Sequence, residues 1–318
     1  APVEENTKLD VGESGVGANF LTSACCLSNT PVTLTGRGRL LRRPIDELVE
    51  ALRTLGCRID YLGKHGFPPV KIQGGGIKGG SAGMRGHRTS QYFSSLAISS
   101  AYAEQPVTIN CIGDMTEKPY FDITLKMMAD FGVTAQNKDY STITVPNDKH
   151  YLAKESFTVE GDYSSASFFL LAAAICGIEV TVTNLEPNSQ QGDRAFVDIM
   201  KKMGCSVEQT DTQVTVTGHK LKAIQLDMSD IPDLVPPVAV AAAFAEGTSE
   251  ITNIGHLRHK ECDRLAVVAS QLNKMNARVS SGSDSLTITG SDNLHPATID
   301  PYNDHRIAMS FAIAGLAL

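Results

Sequence analysis

The chain has 318 residues, 42% of them hydrophobic and 20% charged, a balance that excludes a disordered or fibrous protein and leaves room for two folded domains. A net charge of −7 provides no basic excess for a phosphate backbone, so general nucleic-acid binding is excluded and any anionic ligand must meet positive charge concentrated locally. No apolar run is long enough to span a bilayer and the opening Ala1–Asp10 is polar, so neither a membrane span nor a secretory leader is expected.

Taken in order, Leu9–Gly36 opens on polar residues, passes through a helix-like run and ends in the β-branched strand Pro31 to Thr35. Arg43–Gly56 follows with apolar residues at i, i+3, i+4 and i+7. The same grammar returns at Gly83–Ile112 with Lys118–Gly132, at Glu160–Leu185 with Gly192–Gly204, and at Leu226–Ile254 with Cys262–Asn276. A fifth start, Ile299–Leu318, is read as stopping inside its helix. The second helices close on Gly56, Gly132, Gly204 and Asn276, residues suited to a left-handed C-terminal turn. Two alternating runs then follow, as in Cys205–Glu208 and Gln213–Thr217.

The unit is therefore strand–helix–strand–helix–strand–strand, about 65–77 residues long. Gly74–Gly83 lacks the order of a phosphate loop and is expected to be a flexible connection; Thr144–Ser156 joins two further units. The expected domains are 1–158, with units near 9–82 and 83–158, and 159–318, with units near 159–225 and 226–298 and a partial one from 299.

One corner, Gly255–Leu265, is unusually rich in charge and lies between a β-like run (Ser249–Ile254) and a helix-like one (Cys262–Met275). It can aim Glu261, Lys260 and Arg264 at one small volume, which suits acid–base chemistry on an anion. An isolated charge run is more often a solvated, salt-bridged face; here similar polar corners recur at matching places in the repeat. The seven cysteines include no C-x-x-C pair and mostly sit in apolar runs, the pattern of reduced core thiols; neither a disulfide frame nor a zinc site is expected.

Several runs together are specific. Gly161-Asp162-Tyr163-Ser164-Ser165-Ala166-Ser167, Gln191-Gly192-Asp193, Ile231-Pro232-Asp233, Lys260-Glu261-Cys262-Asp263-Arg264 and Tyr302-Asn303-Asp304-His305-Arg306 resemble the 5-enolpyruvylshikimate-3-phosphate synthase family. So do Leu34-Thr35-Gly36 with Arg39 and Arg43-Pro44-Ile45, Thr89-Ser90-Gln91, and Lys118-Pro119-Tyr120. The resemblance covers nearly the whole chain in order. It implies an α/β fold, a two-domain inside-out α/β barrel of repeated βαβαββ units with the active site between the halves. Against that family pattern the chain is incomplete at both ends, by about one unit at the start.

The resemblance also implies a reaction: the enolpyruvyl group of phosphoenolpyruvate passes to the 5-hydroxyl of shikimate 3-phosphate, with release of phosphate and without a metal or organic cofactor. It implies a monomer in the cytoplasm, or in a plastid if the source is a plant, with these two small molecules as its partners and neither nucleic acid nor membrane. By resemblance, Asp233 accepts the hydroxyl proton and Glu261 donates to the pyruvyl carbon. His305 is expected to relay a proton or orient Glu261. Arg39, Arg264 and Arg306 form the phosphoenolpyruvate clamp, and Lys260 lies on the shikimate phosphate side. Thr89, Ser90 and Gln91 hold the 3-phosphate with free N–H groups and hydroxyls at a helix start, and Tyr120 stacks beneath the shikimate ring.

Some residues depart from the family pattern. Its glycine-rich loop usually reads Gly-Asn-Ala-Gly-Thr-Ala-Met-Arg-Pro, whereas here the stretch is Gly12 to Phe20. Gly15 is kept, Asn19 replaces the arginine and Glu13 adds negative charge. Glu117 replaces a serine that helps hold shikimate 3-phosphate, and His256 an asparagine. Val16 and Phe20 lead to the expectation that glyphosate binds less well here than where Thr and Pro stand. Two alternatives accompany the main reading: a non-catalytic homologue with a degraded loop, and the transferase acting on UDP-N-acetylglucosamine, whose cysteine-bearing loop has no counterpart in this sequence.

Overall fold

A computed structural model describes residues 7–318, so the polar opening Ala1–Asp10 lies partly outside the described residues. The chain divides into two compact units, one ending at Phe157 and the other running from Thr158 to Leu318.

In the first unit the elements are β1 (Thr7–Asp10), α1 (Gly15–Cys26), β2 (Val32–Thr35), α2 (Asp46–Thr54), β3 (Ile59–Tyr61) and β4 (Val70–Ile72). A second set repeats the order: β5 (Gly80–Arg85), α3 (Gln91–Ser100), β6 (Val107–Ile112), α4 (Lys118–Asp130), β7 (Gln136–Lys138) and β8 (Thr142–Val145). Each set makes a four-stranded sheet, β1-β2-β4-β3 and β5-β6-β8-β7. In each, the first two strands are parallel and the last two pair as an antiparallel hairpin. Parallel neighbours require a crossover, which α1 and α3 supply. Strand β2 buries Val32 and Leu34 and leaves Thr33 and Thr35 half-buried, the two-residue period of a one-sided sheet. Helix α2 carries Asp46 and Glu47 in its first turn and Arg53 in its last, in the sense that complements the helix dipole, and buries Leu48, Val49, Ala51 and Leu52.

The second unit contains α5 (Tyr163–Cys176), β9 (Glu179–Thr183), α6 (Ala195–Lys202), β10 (Ser206–Gln209) and β11 (Gln213–Thr217). It continues with β12 (Gln225–Asp227), α7 (Val235–Ala243), β13 (Thr248–Thr252), α8 (Arg264–Lys274), β14 (Arg278–Ser281), β15 (Leu286–Thr289) and α9 (His305–Ala314). The sheet β12-β13-β15-β14 has the same order as those of the first unit. Helix α7 is apolar all round and every residue in it is buried, as a helix enclosed by α5, α8 and α9 must be.

The α/β class and the repeating unit agree with expectation, and Gly56, Gly132, Gly204 and Asn276 all have positive φ. Three details differ. The third repeat forms only the three-stranded sheet β10-β11-β9; Val159, where an opening strand was due, is exposed, and Gly161 N instead donates to Asn184 O at 2.9 Å. The stretch Gly74–Gly83 is not wholly a connection, because Gly80 already pairs with Val107 in β5. Helix α9 closes at Ala314 and does not run on to Leu318.

Candidate active site

In the second unit the first turns of three helices bring the charged residues together. Strand β13 leads into a 3₁₀ turn, Gly255–His259, and α8 then starts behind the cap Asp263, whose Oδ1 accepts from Ala266 N at 3.1 Å. The expected helix start at Cys262 is thereby moved to Arg264, because Asp263 is the residue that caps. Arg264 is only 1% exposed, so its guanidinium is stable there only if its N–H groups are paired. Its Nε donates to Asp304 Oδ2, its Nη1 to Asp233 Oδ1 and its Nη2 to Glu261 Oε2, each at 2.8 Å. Asp233 lies in the 3₁₀ turn Pro232–Leu234 that precedes α7, and Asp304 caps α9 through Arg306 N at 2.9 Å. A second cation, Arg306, closes the group with Nη2 2.7 Å from Asp233 Oδ2.

Burial pushes Asp233 toward its neutral form. The charges of Arg306, Arg264 and Lys260 outweigh it and hold the carboxyl well below the usual carboxylate range. For Asp304 burial acts upward too and is overcome mainly by Arg264, so this carboxyl is also lowered. Burial lowers Arg264, and the surrounding carboxylates, Asp233 first, raise it further than burial lowers it. In this cluster Asp233, with a side chain 22% exposed, and Glu261 remain reachable from solvent while Arg264 and Asp304 do not. Two accessible carboxylates are thus tied to one guanidinium that fixes their geometry from behind.

The other expected residues of this unit fall around the cluster. Lys260 is buried beside it and its charge acts on Asp233. His256 is buried in the 3₁₀ turn. His305 is exposed in the first turn of α9, and the Glu261 carboxylate that it was expected to orient is held by Arg264. Arg264 itself is engaged by three carboxylates, so its fork is not open for an anion as a clamp would be. Sequence reasoning missed Asp304 as a partner of Arg264. The signal was an Asp immediately before an apolar helical run, the mark of a capping residue.

In the first unit, Ser14 Oγ caps α1 by accepting from Gly17 N at 3.0 Å. A Cβ on Gly15 would come within 2.3 Å of Arg43 Nη1, so the glycine leaves space for a guanidinium against the start of α1. Arg39 is half-buried in the 3₁₀ turn Gly38–Arg42. Asn19 is buried and its Nδ2 donates to Gln91 Oε1 at 2.8 Å. Thr89, Ser90 and Gln91 do stand at the head of α3, but two of their donors already serve Glu117. The Oε2 of Glu117 accepts from Thr89 Oγ1 at 2.6 Å and from Ser90 N at 3.3 Å. Tyr120 is half-buried in the first turn of α4.

Among the described residues no group of three or more His, Cys, Asp or Glu side chains is placed to hold a metal ion, and no helix is long and apolar enough to cross a membrane. Repeated βαβαββ units with carboxylates and guanidiniums gathered at helix starts define an α/β protein equipped for acid–base chemistry on anions. The family described as EPSP synthase (3-phosphoshikimate 1-carboxyvinyltransferase) matches residues 1–318. The 3-phosphoshikimate 1-carboxyvinyltransferase of Aliivibrio salmonicida is 43% identical over 313 residues, covering 98% of this chain and 73% of the relative. That of Vibrio cholerae is 43% identical over 310 residues, with the same coverage of both. An EPSP synthase structure from Acinetobacter baumannii superposes with a TM-score of 0.77 at 27% identity, over 98% of this chain and 73% of that one. The chain belongs to the EPSP synthase family.

Proposed function

We propose that this chain transfers the enolpyruvyl group of phosphoenolpyruvate to the 5-hydroxyl of shikimate 3-phosphate. The observation that carries the assignment of roles is the buried Arg264, which fixes Asp233 and Glu261 on one guanidinium. Asp233 takes the proton of the 5-hydroxyl as its oxygen bonds to C2 of phosphoenolpyruvate. Glu261 delivers a proton to C3, giving a tetrahedral adduct. Loss of a proton from the new methyl group then expels phosphate from C2 and restores the double bond.

At rest Asp233 is a weak base, because two guanidiniums hold it ionised. An anionic substrate that draws Arg306 toward itself relieves part of that hold and raises the basicity of Asp233 as the reactants assemble. Arg39 and Arg306 supply the cationic contacts for phosphoenolpyruvate, and Lys260 faces the shikimate phosphate. Thr89, Ser90 and Gln91 receive the 3-phosphate at the head of α3, and Tyr120 lies against the ring. The chain acts as a monomer.

Phosphate release from purified chain supplied with both substrates tests this. Release should require both, and Asp233→Asn and Glu261→Gln should each slow it by about 10²–10⁴-fold, the scale of a lost general acid or base. A chain that binds both substrates and releases no phosphate would overturn the reading in favour of a non-catalytic homologue, for which the occupied head of α3 already speaks.

A further inference from the structure

The carboxylate at the head of α3 has a consequence for substrate choice. Glu117 is 2% exposed and adopts a left-handed backbone, φ 61°, at the N-terminal cap position of α4, a conformation that costs an ordinary side chain energy and is retained only when its surroundings impose it. That backbone sends the carboxylate to Thr89 and Ser90 of the neighbouring helix start and not to its own helix, for which it forms no side-chain cap. The Thr89 hydroxyl and the Ser90 N–H are the kind of donors that a helix start offers to a phosphate, and both already serve an internal anion. The Ser90 hydroxyl is fully buried with no hydrogen-bond partner among the described residues, so the donor set is incompletely used by Glu117.

We propose that Glu117 is a specificity-determining residue that acts as an intramolecular competitor for the phosphate of the substrate. This rests on the reading above that a phosphate monoester binds at the head of α3. A phosphate reaches these donors only when the Glu117 side chain gives them up, since two anions on the same hydroxyl and N–H repel one another. The resting subsite is therefore closed against phosphate, and the affinity for shikimate 3-phosphate is set by how readily the carboxylate leaves.

Titration calorimetry of shikimate 3-phosphate into the full chain tests the proposal with three substitutions. Glu117→Ser removes the competitor and should tighten binding about tenfold or more, the scale of one charge-assisted hydrogen bond regained. Glu117→Gln keeps the size and one acceptor oxygen but not the charge, and should tighten it by less; this near-isosteric variant carries the test alone if Glu117→Ser does not fold. Thr89→Ala added to Glu117→Ser should reverse most of the gain. If neither Glu117 variant binds more tightly while Thr89→Ala in the otherwise unaltered chain weakens binding, the competitor role is overturned and the phosphate reading stands. If Thr89→Ala changes nothing in either background, the phosphate does not bind at α3 and both readings fall.

Discussion

At the scale of single residues, Arg264 and Asp304 act as the support on which the reactive carboxylates rest. Asp304 is fully buried and accepts two guanidinium hydrogen bonds, so Asp304→Asn leaves a buried cation short of a charged partner. The expected cost is about 3 kcal/mol, toward the low end for a broken buried pair because Asp233 and Glu261 stay on the guanidinium. Chemical denaturation should read it. Both Asp233 and Asp304 titrate below the ordinary carboxylate range in the folded chain. The stability they contribute is complete above the unfolded carboxyl value of about 4 and is lost as the pH falls below it toward the folded values. The acid limb of stability against pH should therefore flatten in Asp304→Asn, whereas an unchanged limb would remove Asp304 from the account. The acids and guanidiniums of this cluster were legible from their types and order in the sequence. That Arg264 faces three carboxylates, and that Glu117 reaches Thr89, depends on backbone angles and burial that no spacing rule contains.

At the scale of elements, the ends of three of the four closing hairpins carry a constraint. A Cβ on Gly74, just after β4, would lie 2.4 Å from Ser28 O; on Gly218, just after β11, 2.0 Å from Ala173 O; and on Gly290, just after β15, 1.7 Å from Ala245 O. Each carbonyl belongs to or follows the helix that crosses that sheet, so sheet and helix end meet there without room for a side chain. Gly290→Ala should destabilise by about 3 kcal/mol, at the upper end of ordinary overpacking because backbone is what it strikes. Gly177→Ala, at φ +66° with open space around it, should cost only the backbone penalty of about 1–2 kcal/mol. Thermal unfolding of the pair separates the two effects. The helices and most strands were readable because their apolar periods are long enough to count and their closing Gly or Asn residues mark the ends. The missing opening strand of the third repeat was not, since Phe157 to Val159 has strand-like composition, yet Phe157 packs on Phe131 and Val159 is exposed.

At the scale of the whole molecule, the two hydrophobic cores share no residue: one is built from Ala18 to Val145 and the other from Tyr163 to Ala314. A cavity opened in one should leave the other's packing intact. Leu52→Ala, in the first core, should cost about 2–5 kcal/mol and raise amide exchange in α1 to α4 while α5 and α7 stay protected. Equal acceleration in both sets would show that they open as one cooperative body. The repeat itself was legible because each unit can bury its apolar face only against its neighbours.

The cluster around Arg264 carries a further implication for how the chain meets its substrates. Asp233, Glu261 and Asp304 stand beside Arg264, Arg306 and Lys260, three acidic groups against three basic ones. A newcomer with negative charge upsets that parity, in a molecule whose overall charge of −7 offers no surplus to absorb it. Capture should then draw a hydrogen ion from the medium, and the heat of binding should change with the ionisation enthalpy of the buffer.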